Sequence, residues 1–402
     1  MALSAVRRRS KSVGCHLGGR GSSPTRSHAE HTRCPTGTSR PPARVGVGVR
    51  SDVDVVVIGA GQAGLSAAYG LRRAGLAPGS GFVVLDSEDG PGGAWRHRWR
   101  TLRVDSAHRI ASLPGLPFEP ADRTRPAAEI VPAYFDAYER VFDLQVRRPV
   151  RVGAVRSTGP DLQVETDAGT WTTRALINAT GTWTRPFRPR YPGAEAFRGR
   201  QLHTFDYAGP EEFAGKRVVV VGGGTSAVQL LMEIATVAGA TAWVTRRAPV
   251  FHDGPFDEEY GRGVVARVEE RVRAGLPPQS VVSVTGLALT PEVQAAQAAG
   301  VLNRLPMFER ITPDGVAWAD GGSVAADVIL WATGWRAALG HLTPLRLRAP
   351  GGGIAVDGTR VLSDPRIHLV GYGPSASTIG ANRAGQAAAR EVVALLREPA
   401  AA

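Results

Sequence analysis

The sequence predicts an α/β protein with two Rossmann-like dinucleotide-binding domains, the second inserted into the first, and three observations predict it. An apolar strand, a glycine turn, a helix and a second strand follow one another from Val55 to Asp86. The same order recurs from Lys216 to Arg247. Each unit then leads, 122 residues from Gly59 to Gly181 and 112 residues from Gly222 to Gly334, to an Ala-Thr-Gly turn that closes an apolar strand. A pattern repeated at this scale marks two nucleotide sites on one chain, and two nucleotides in one enzyme imply that electrons pass between them.

In the first unit Gly59, Gly61 and Gly64 make G-x-G-x-x-G. The first glycine permits the tight turn, the second lets backbone approach a pyrophosphate, and the third lets the helix pack closely on the sheet, so the helix N-terminus can receive phosphates. Asp86 closes the unit twenty-two residues after Gly64, where a carboxylate accepts hydrogen bonds from a ribose.

Charge and cysteine usage narrow the partners. The chain has 402 residues and a net charge of +12, but residues 1–50 hold ten Lys or Arg against Glu30 alone, which leaves +3 for the other 352 residues. The basicity therefore belongs to a Ser-, Gly-, Pro- and Arg-rich tail expected to be disordered, and it argues for no nucleic-acid partner of the folded part. Both cysteines, Cys15 and Cys34, fall in that tail. Residues 51–402 therefore have no disulfide framework and no redox C-x-x-C, which fits a reducing, cytoplasmic compartment. Cys15, His16, His28, His31 and Cys34 match no zinc spacing, so no metal is expected. Apolar runs at 55–71 and 218–238 are broken by glycines and polar residues, so no membrane span is expected.

After Asp86 comes the loop Gly90 to Trp99, GPGGAWRHRW, in which Gly93 permits close backbone approach to a ligand and Trp95 can pack on a flat ring. Alternation over Val150 to Thr180, broken at Thr158-Gly159-Pro160 and Asp167-Ala168-Gly169, reads as a small antiparallel β-meander ending on Ala179-Thr180-Gly181. In the second unit Gly222, Gly224 and Ala227 make G-x-G-x-x-A, Thr225 and Ser226 open the helix, and Gly239 is its expected stop. Here Arg246 and Arg247 stand where the first unit has Asp86. Guanidinium groups bind a 2′-phosphate that a carboxylate would repel, so this site prefers NADPH to NADH. Val328 to Trp331 runs into Ala332-Thr333-Gly334, and Ile367 to Gly373 with the alanine-rich helix from about Ala381 supplies what a discontinuous first domain needs, with Gly371 and Gly373 in the turn. Between Phe251 and Leu305, helices are expected at Gly263 to Ala274 and Pro291 to Arg304.

From about residue 53 onward the chain resembles the class B flavin-dependent monooxygenases, the group of flavin-containing, auxin-forming and Baeyer-Villiger enzymes. The resemblance rests on GAGQAG, GGAWRHRW, NATGTWTRP, GGGTSA with its following RR, and the second ATG turn. It is sharpest at Phe197 to Tyr207, FRGRQLHTFDY, which is similar to the family's linker signature F-x-G-x-x-x-H-x-x-x-Y. Baeyer-Villiger members usually end that signature on Trp followed by Pro or Asp, so Tyr207-Ala208 points to oxidation of nitrogen or sulfur. The Asn common in flavin-containing monooxygenases is replaced near Trp99 to Ser112 by Asp105, Ser106 and His108.

The resemblance implies FAD on the first unit and NADPH on the second. Hydride reduces the flavin, oxygen forms a flavin hydroperoxide, and a small soft nucleophile takes the oxygen. It implies an FAD-binding domain over 51–205 and 325–402, an NADPH-binding domain over 206–324, and an antiparallel β-meander in each. His203 and Tyr207 are the candidate catalytic residues, His203 acting more through positioning than as acid or base. Two alternatives stay open: an NADPH-dependent flavoprotein passing electrons to another acceptor, and Baeyer-Villiger oxidation of a ketone. A disulfide reductase needs two cysteines beside the flavin, and residues 51–402 have none.

Overall fold

The computed structural model describes residues 50–107, 110–252, 258–278 and 286–398, and in it each glycine-turn unit carries its own parallel sheet. The basic tail other than Arg50, and His108, lie outside the described residues.

The first sheet has eight strands. At its centre β1 (Arg50–Ile58) pairs in parallel with β2 (Phe82–Leu85) on one side and β5 (Gly169–Asn178) on the other. Strand β18 (Ile367–Leu369) pairs in parallel with β5, so the C-terminal segment returns to the first sheet. The near-continuous apolar run of β1 has the pattern of a strand covered on both faces. Val55 and Val57 join one buried cluster while Val56 and Ile58 join another. Strands β3 (Val152–Thr158) and β4 (Asp161–Thr166) form the antiparallel meander with β5, and β16 (Val356–Asp357) and β17 (Arg360–Val361) extend the far edge. Helix α1 (Gln62–Arg73) lies against the C-terminal helix, α6 (Thr378–Arg397). The approach is close enough that a Cβ on Gly385 would stand 2.6 Å from the Ala63 carbonyl oxygen, which is why this seam is built from alanine and glycine.

The second sheet has five parallel strands in the order β11 (Arg304–Pro306), β8 (Ala240–Thr245), β7 (Arg217–Val221), β15 (Val328–Trp331) and β6 (Arg200–His203). Helix α3 (Thr225–Ala235) follows β7, and β12 (Arg310–Thr312), β13 (Gly315–Ala317) and β14 (Ser323–Ala325) make the second antiparallel meander. The short parallel pair β9 (Phe251–His252) and β10 (Leu287–Ala288) stands apart from both sheets. Helices α2 (Ala127–Val141), α4 (Glu258–Arg273) and α5 (Pro291–Ala298) are the remaining α-helices among the described residues. No helix among the described residues is long and apolar enough to cross a membrane.

Three local expectations change. The borders at 205/206 and 324/325 cut through the second sheet, because β6 and β15 pair with each other and β15 pairs with β7. The helix expected over Pro291 to Arg304 ends at Ala298, where Gly300 takes φ +76° and turns the chain toward β11. Helix α3 ends at Ala235, four residues before Gly239. Thr236 bonds its hydroxyl back to the Glu233 carbonyl at 2.8 Å, and Gly239 instead passes close to Gly215.

Candidate nucleotide and active site

The two glycine turns are built alike. Gly59 takes φ +99° and donates its N–H to the Leu85 carbonyl at 2.7 Å. A Cβ there would stand 2.6 Å from the Ala179 carbonyl oxygen, so the first ATG turn lies directly on the first glycine turn. Gly222 takes φ +149°, donates to the Val244 carbonyl at 2.9 Å, and a Cβ on it would stand 2.3 Å from the Ala332 carbonyl oxygen. A Cβ on Gly64 would fall 1.8 Å from the Gly59 carbonyl oxygen. Ala227, fully buried, holds the corresponding place in the second turn. Gly61 and Gly224, by contrast, have no atom within 4 Å of a Cβ position. Each is the N-cap of its helix, so the unpaired first-turn N–H groups and the positive helix end stand beside open space.

A cavity of about 390 Å³ opens at the first turn, and Gly59, Gly61, Asp86, Gly93, Trp95, Thr180, Gly181 and Gly371 all line it. Asp86 is buried and bound on one side: its Oδ2 accepts from Arg148 Nε at 3.1 Å, while Arg148 grips Glu139 with two further bonds at 2.6 and 2.7 Å. Burial raises the Asp86 carboxyl above its ordinary range, against the pull of Arg148. Oδ1 receives only a 3.4 Å contact from the Glu88 amide. Gly373 does not line this cavity; it packs against Val272 of α4, where a Cβ would come within 2.9 Å.

The second turn gathers a different set. Thr225 and Ser226 form the first turn of α3 beside Gly224. The matching hydrogen bonds of Gly59 to Leu85 and Gly222 to Val244 make Thr245, buried and neutral, the counterpart of Asp86. Arg246 and Arg247 follow it by one and two residues, and both are exposed. Arg304 of β11 ties this strand end, its Nε donating to the Thr245 hydroxyl at 2.7 Å and its Nη2 to the Thr245 carbonyl at 3.2 Å. Thr333 and Gly334 are both tied to Phe187: the Thr333 hydroxyl donates to the Phe187 carbonyl, and the Phe187 N–H donates to the Gly334 carbonyl at 2.9 Å.

Neither expected catalytic residue has a free reactive atom at the cavity. His203 is fully buried, with Nδ1 accepting from the Phe205 N–H at 3.0 Å and Nε2 donating to the Gly334 carbonyl at 3.0 Å. Those two bonds fix one neutral tautomer and occupy both nitrogens, and burial lowers the ring's pKa below its ordinary value. His203 therefore pins the linker to the second ATG turn. Tyr207 is buried edge-on against Trp99 at 6.0 Å and stacked on Phe213 at 5.7 Å, away from the cavity. Burial and the neighbouring Glu233 raise its hydroxyl's pKa. Asp105 and Ser106 stand exposed on the turn after Trp99, the Ser106 hydroxyl accepting from the Arg103 amide at 3.2 Å.

Sequence reasoning found Trp95 but missed the rest of the cavity's aromatic end. Trp183 and Trp335, which follow the two ATG turns, stack on each other with centroids 5.3 Å apart and planes at 24°. The Arg98 guanidinium carbon lies 4.7 Å from the Trp183 ring centre, 5.7 Å from Trp95 and 5.8 Å from Trp335, and all four side chains border the cavity. Buried Gln62 Oε1, Arg98 Nε, Trp183 Nε1 and Trp335 Nε1 find no hydrogen-bond partner among the described residues. The signal was present in ATGTW and ATGW, a tryptophan just after each repeated turn. His341 also lines the cavity, bonded through Nε2 to Asn178 Oδ1 at 2.7 Å and held by burial at a pKa of about 4.

An open helix N-terminus, an acid at a strand end and unpartnered polar atoms beside indole rings fit a dinucleotide bearing a flat ring. Comparison with known proteins accords with this. A family model described as pyridine nucleotide-disulphide oxidoreductase matches residues 56–298. The solved structure of a flavin-containing monooxygenase from Stenotrophomonas maltophilia is 41% identical, covers 86% of this chain and 99% of its own, and superposes with a TM-score of 0.73. An indole-3-pyruvate monooxygenase of Oryza sativa subsp. japonica is 32% identical over 195 residues, 48% of this chain and 47% of that protein. A Baeyer-Villiger monooxygenase of Streptomyces coelicolor is 32% identical over 191 residues, 46% and 36% of the two chains. The chain thus spans half or less of these two curated relatives.

Proposed function

The chain belongs to the pyridine nucleotide-disulphide oxidoreductase family and, within it, to the flavin-containing monooxygenases, and from that premise we propose that it oxygenates a nitrogen or sulfur centre of a small organic substrate at the expense of NADPH and O2. It is an FAD-dependent oxidoreductase. The observation that carries the proposal is the doubled glycine turn with both helix N-termini open at Gly61 and Gly224, the first sharing a cavity with Asp86 and the second next to Gly223, which packs near Thr245, the residue just ahead of Arg246 and Arg247 in the chain.

In this reading Gly61, Gly93 and the first turn of α1 hold the FAD pyrophosphate, and Asp86 Oδ1, the oxygen that Arg148 leaves open, accepts from the ribose. Gly224, Thr225 and Ser226 hold the NADPH pyrophosphate, with Arg246 and Arg247 on the 2′-phosphate. Bound FAD supplies hydride acceptance and oxygen activation, chemistry that belongs to the cofactor. The protein's own part is placement. His203 ties the linker to Gly334, Thr180 bonds the Ala338 carbonyl at 2.8 Å, and the Ala338 N–H donates to the Gly181 carbonyl at 2.9 Å, so the two ATG turns share one rigid junction. Trp183 and Trp335 at that junction exclude water from the space both nucleotides must share.

The test is product stoichiometry. Protein reconstituted with FAD is given NADPH, oxygen and methyl p-tolyl sulfide or a tertiary amine, and sulfoxide or N-oxide is counted against NADPH consumed. A substantial yield of oxygenated product supports the proposal. NADPH oxidation that yields only hydrogen peroxide, with either substrate, would refute it and favour the electron-transferring alternative.

A further inference from the structure

Arg98 is the one guanidinium described at the cavity's aromatic end, and it has no anionic partner among the described residues. Its carbon lies within 6 Å of the ring centres of Trp95, Trp99, Trp183 and Trp335. No carboxylate is paired with it among the described residues, and its Nε is buried without a hydrogen-bond partner. Burial lowers its pKa to about 10. Indole faces soften the desolvation of a cation only in part, and they satisfy none of its N–H donors. A half-buried cation whose Nε is buried and unpartnered is costly to leave so unless a ligand completes it.

The neighbours say what kind of ligand. Trp183 and Trp335 present stacked flat faces, their own Nε1–H groups are buried and unpartnered, and Gln62 adds an unpartnered amide oxygen to the same cavity. Gly61 and Asp86 of the same cavity offer a helix N-terminus for a pyrophosphate, which needs no arginine. We propose that Arg98, with Trp183 and Trp335, is the receptor for a planar aromatic ligand that carries a negative charge. Two sources share this chemistry: a substrate that is an aromatic carboxylate, and the flavin ring when it bears the charge. The substrate arm rests on the monooxygenase reading above; the binding measurement itself depends on neither NADPH nor oxygen.

Benzoate and its neutral isostere benzamide are titrated into the FAD-loaded protein, followed by tryptophan quenching and by perturbation of the flavin spectrum. The same titrations are run on Arg98→Gln and Arg98→Lys. The flavin midpoint potential and FAD affinity are measured for each protein, with thermal unfolding as the check on folding. If the anion comes from the substrate, benzoate binds at least about tenfold more weakly to Arg98→Gln, Arg98→Lys recovers part of the loss, benzamide is unaffected, and the potential stays put. If it comes from the flavin, the potential falls in Arg98→Gln and recovers in Arg98→Lys, while benzoate and benzamide behave alike. A folded Arg98→Gln protein with unchanged benzoate affinity and unchanged potential overturns the proposal. Failure of the monooxygenase reading is seen separately, as NADPH that does not lead to oxygenated product.

Discussion

Alanine at Gly61 and alanine at Gly64 should fail in opposite ways, although the two glycines belong to one motif. A Cβ at Gly64 would stand 1.8 Å from the Gly59 carbonyl oxygen, more than 1 Å inside any tolerable contact. The obstruction is backbone of the glycine turn itself, so Gly64→Ala should cost at least about 3 kcal/mol of stability. At Gly61 the backbone is extended, with φ −81° and ψ −170°, and a Cβ meets no protein atom within 4 Å. Alanine there costs only the difference between glycine and alanine as an N-cap, under about 1 kcal/mol. Its methyl occupies space that the proposed pyrophosphate needs. Losing two hydrogen bonds to a charged phosphate, at about 1.5–3 kcal/mol each, weakens FAD binding by more than about a hundredfold. Thermal unfolding of the apoproteins and fluorescence titration with FAD separate the two effects. A stable Gly61→Ala protein that binds FAD as tightly as the parent would refute the assignment of this turn.

Three further outcomes follow from the same geometry. Replacing Arg246 and Arg247 with serine should raise KM for NADPH by at least about tenfold and leave NADH nearly unchanged, since two charge-assisted contacts to the 2′-phosphate are removed; equal effects on both coenzymes would refute the role. Arg148→Ala strands Asp86 and Glu139, each about a tenth exposed, and should cost about 3–5 kcal/mol in thermal or urea unfolding, with Arg148→Lys recovering only part because the two-pronged contact to Glu139 is lost. His203, His341 and His368 are all held neutral by burial, His341 and His368 at a pKa of about 4. Their folded values lie below the unfolded one, so the stability they contribute is present above about pH 6.5 and is lost as pH falls toward 4. Asp86 and Glu139, whose values are raised, act with the opposite sign. Tm measured from pH 7.5 to 4 should fall more gently in His368→Gln than in the parent, and identical slopes would contradict the argument.

Sequence alone determined the architecture, because strand, glycine turn, helix and strand are local features whose physics acts within about thirty residues. Gly59, Gly61, Gly64 and their counterparts could be read directly, since each glycine answers a constraint set by its near neighbours or by an approaching phosphate. The antiparallel meander at Val150 to Thr180 was legible for the same reason.

Only the tertiary structure decided which side of a border a strand joins and which polar atoms are already spent. Strands β6 and β15 are separated by more than a hundred residues, and their pairing moves both into the second sheet. The signature marks His203 for positioning, but only the fold shows how: Phe205 and Gly334 take both nitrogens, and Gly334 arrives from 131 residues away. Nothing in the loop Gly90 to Trp99 sets Arg98 apart by sequence. Its loneliness among indoles that enter from distant turns at Trp183 and Trp335 exists only after folding, because burial and the absence of a partner are properties of the whole packed chain and not of any segment.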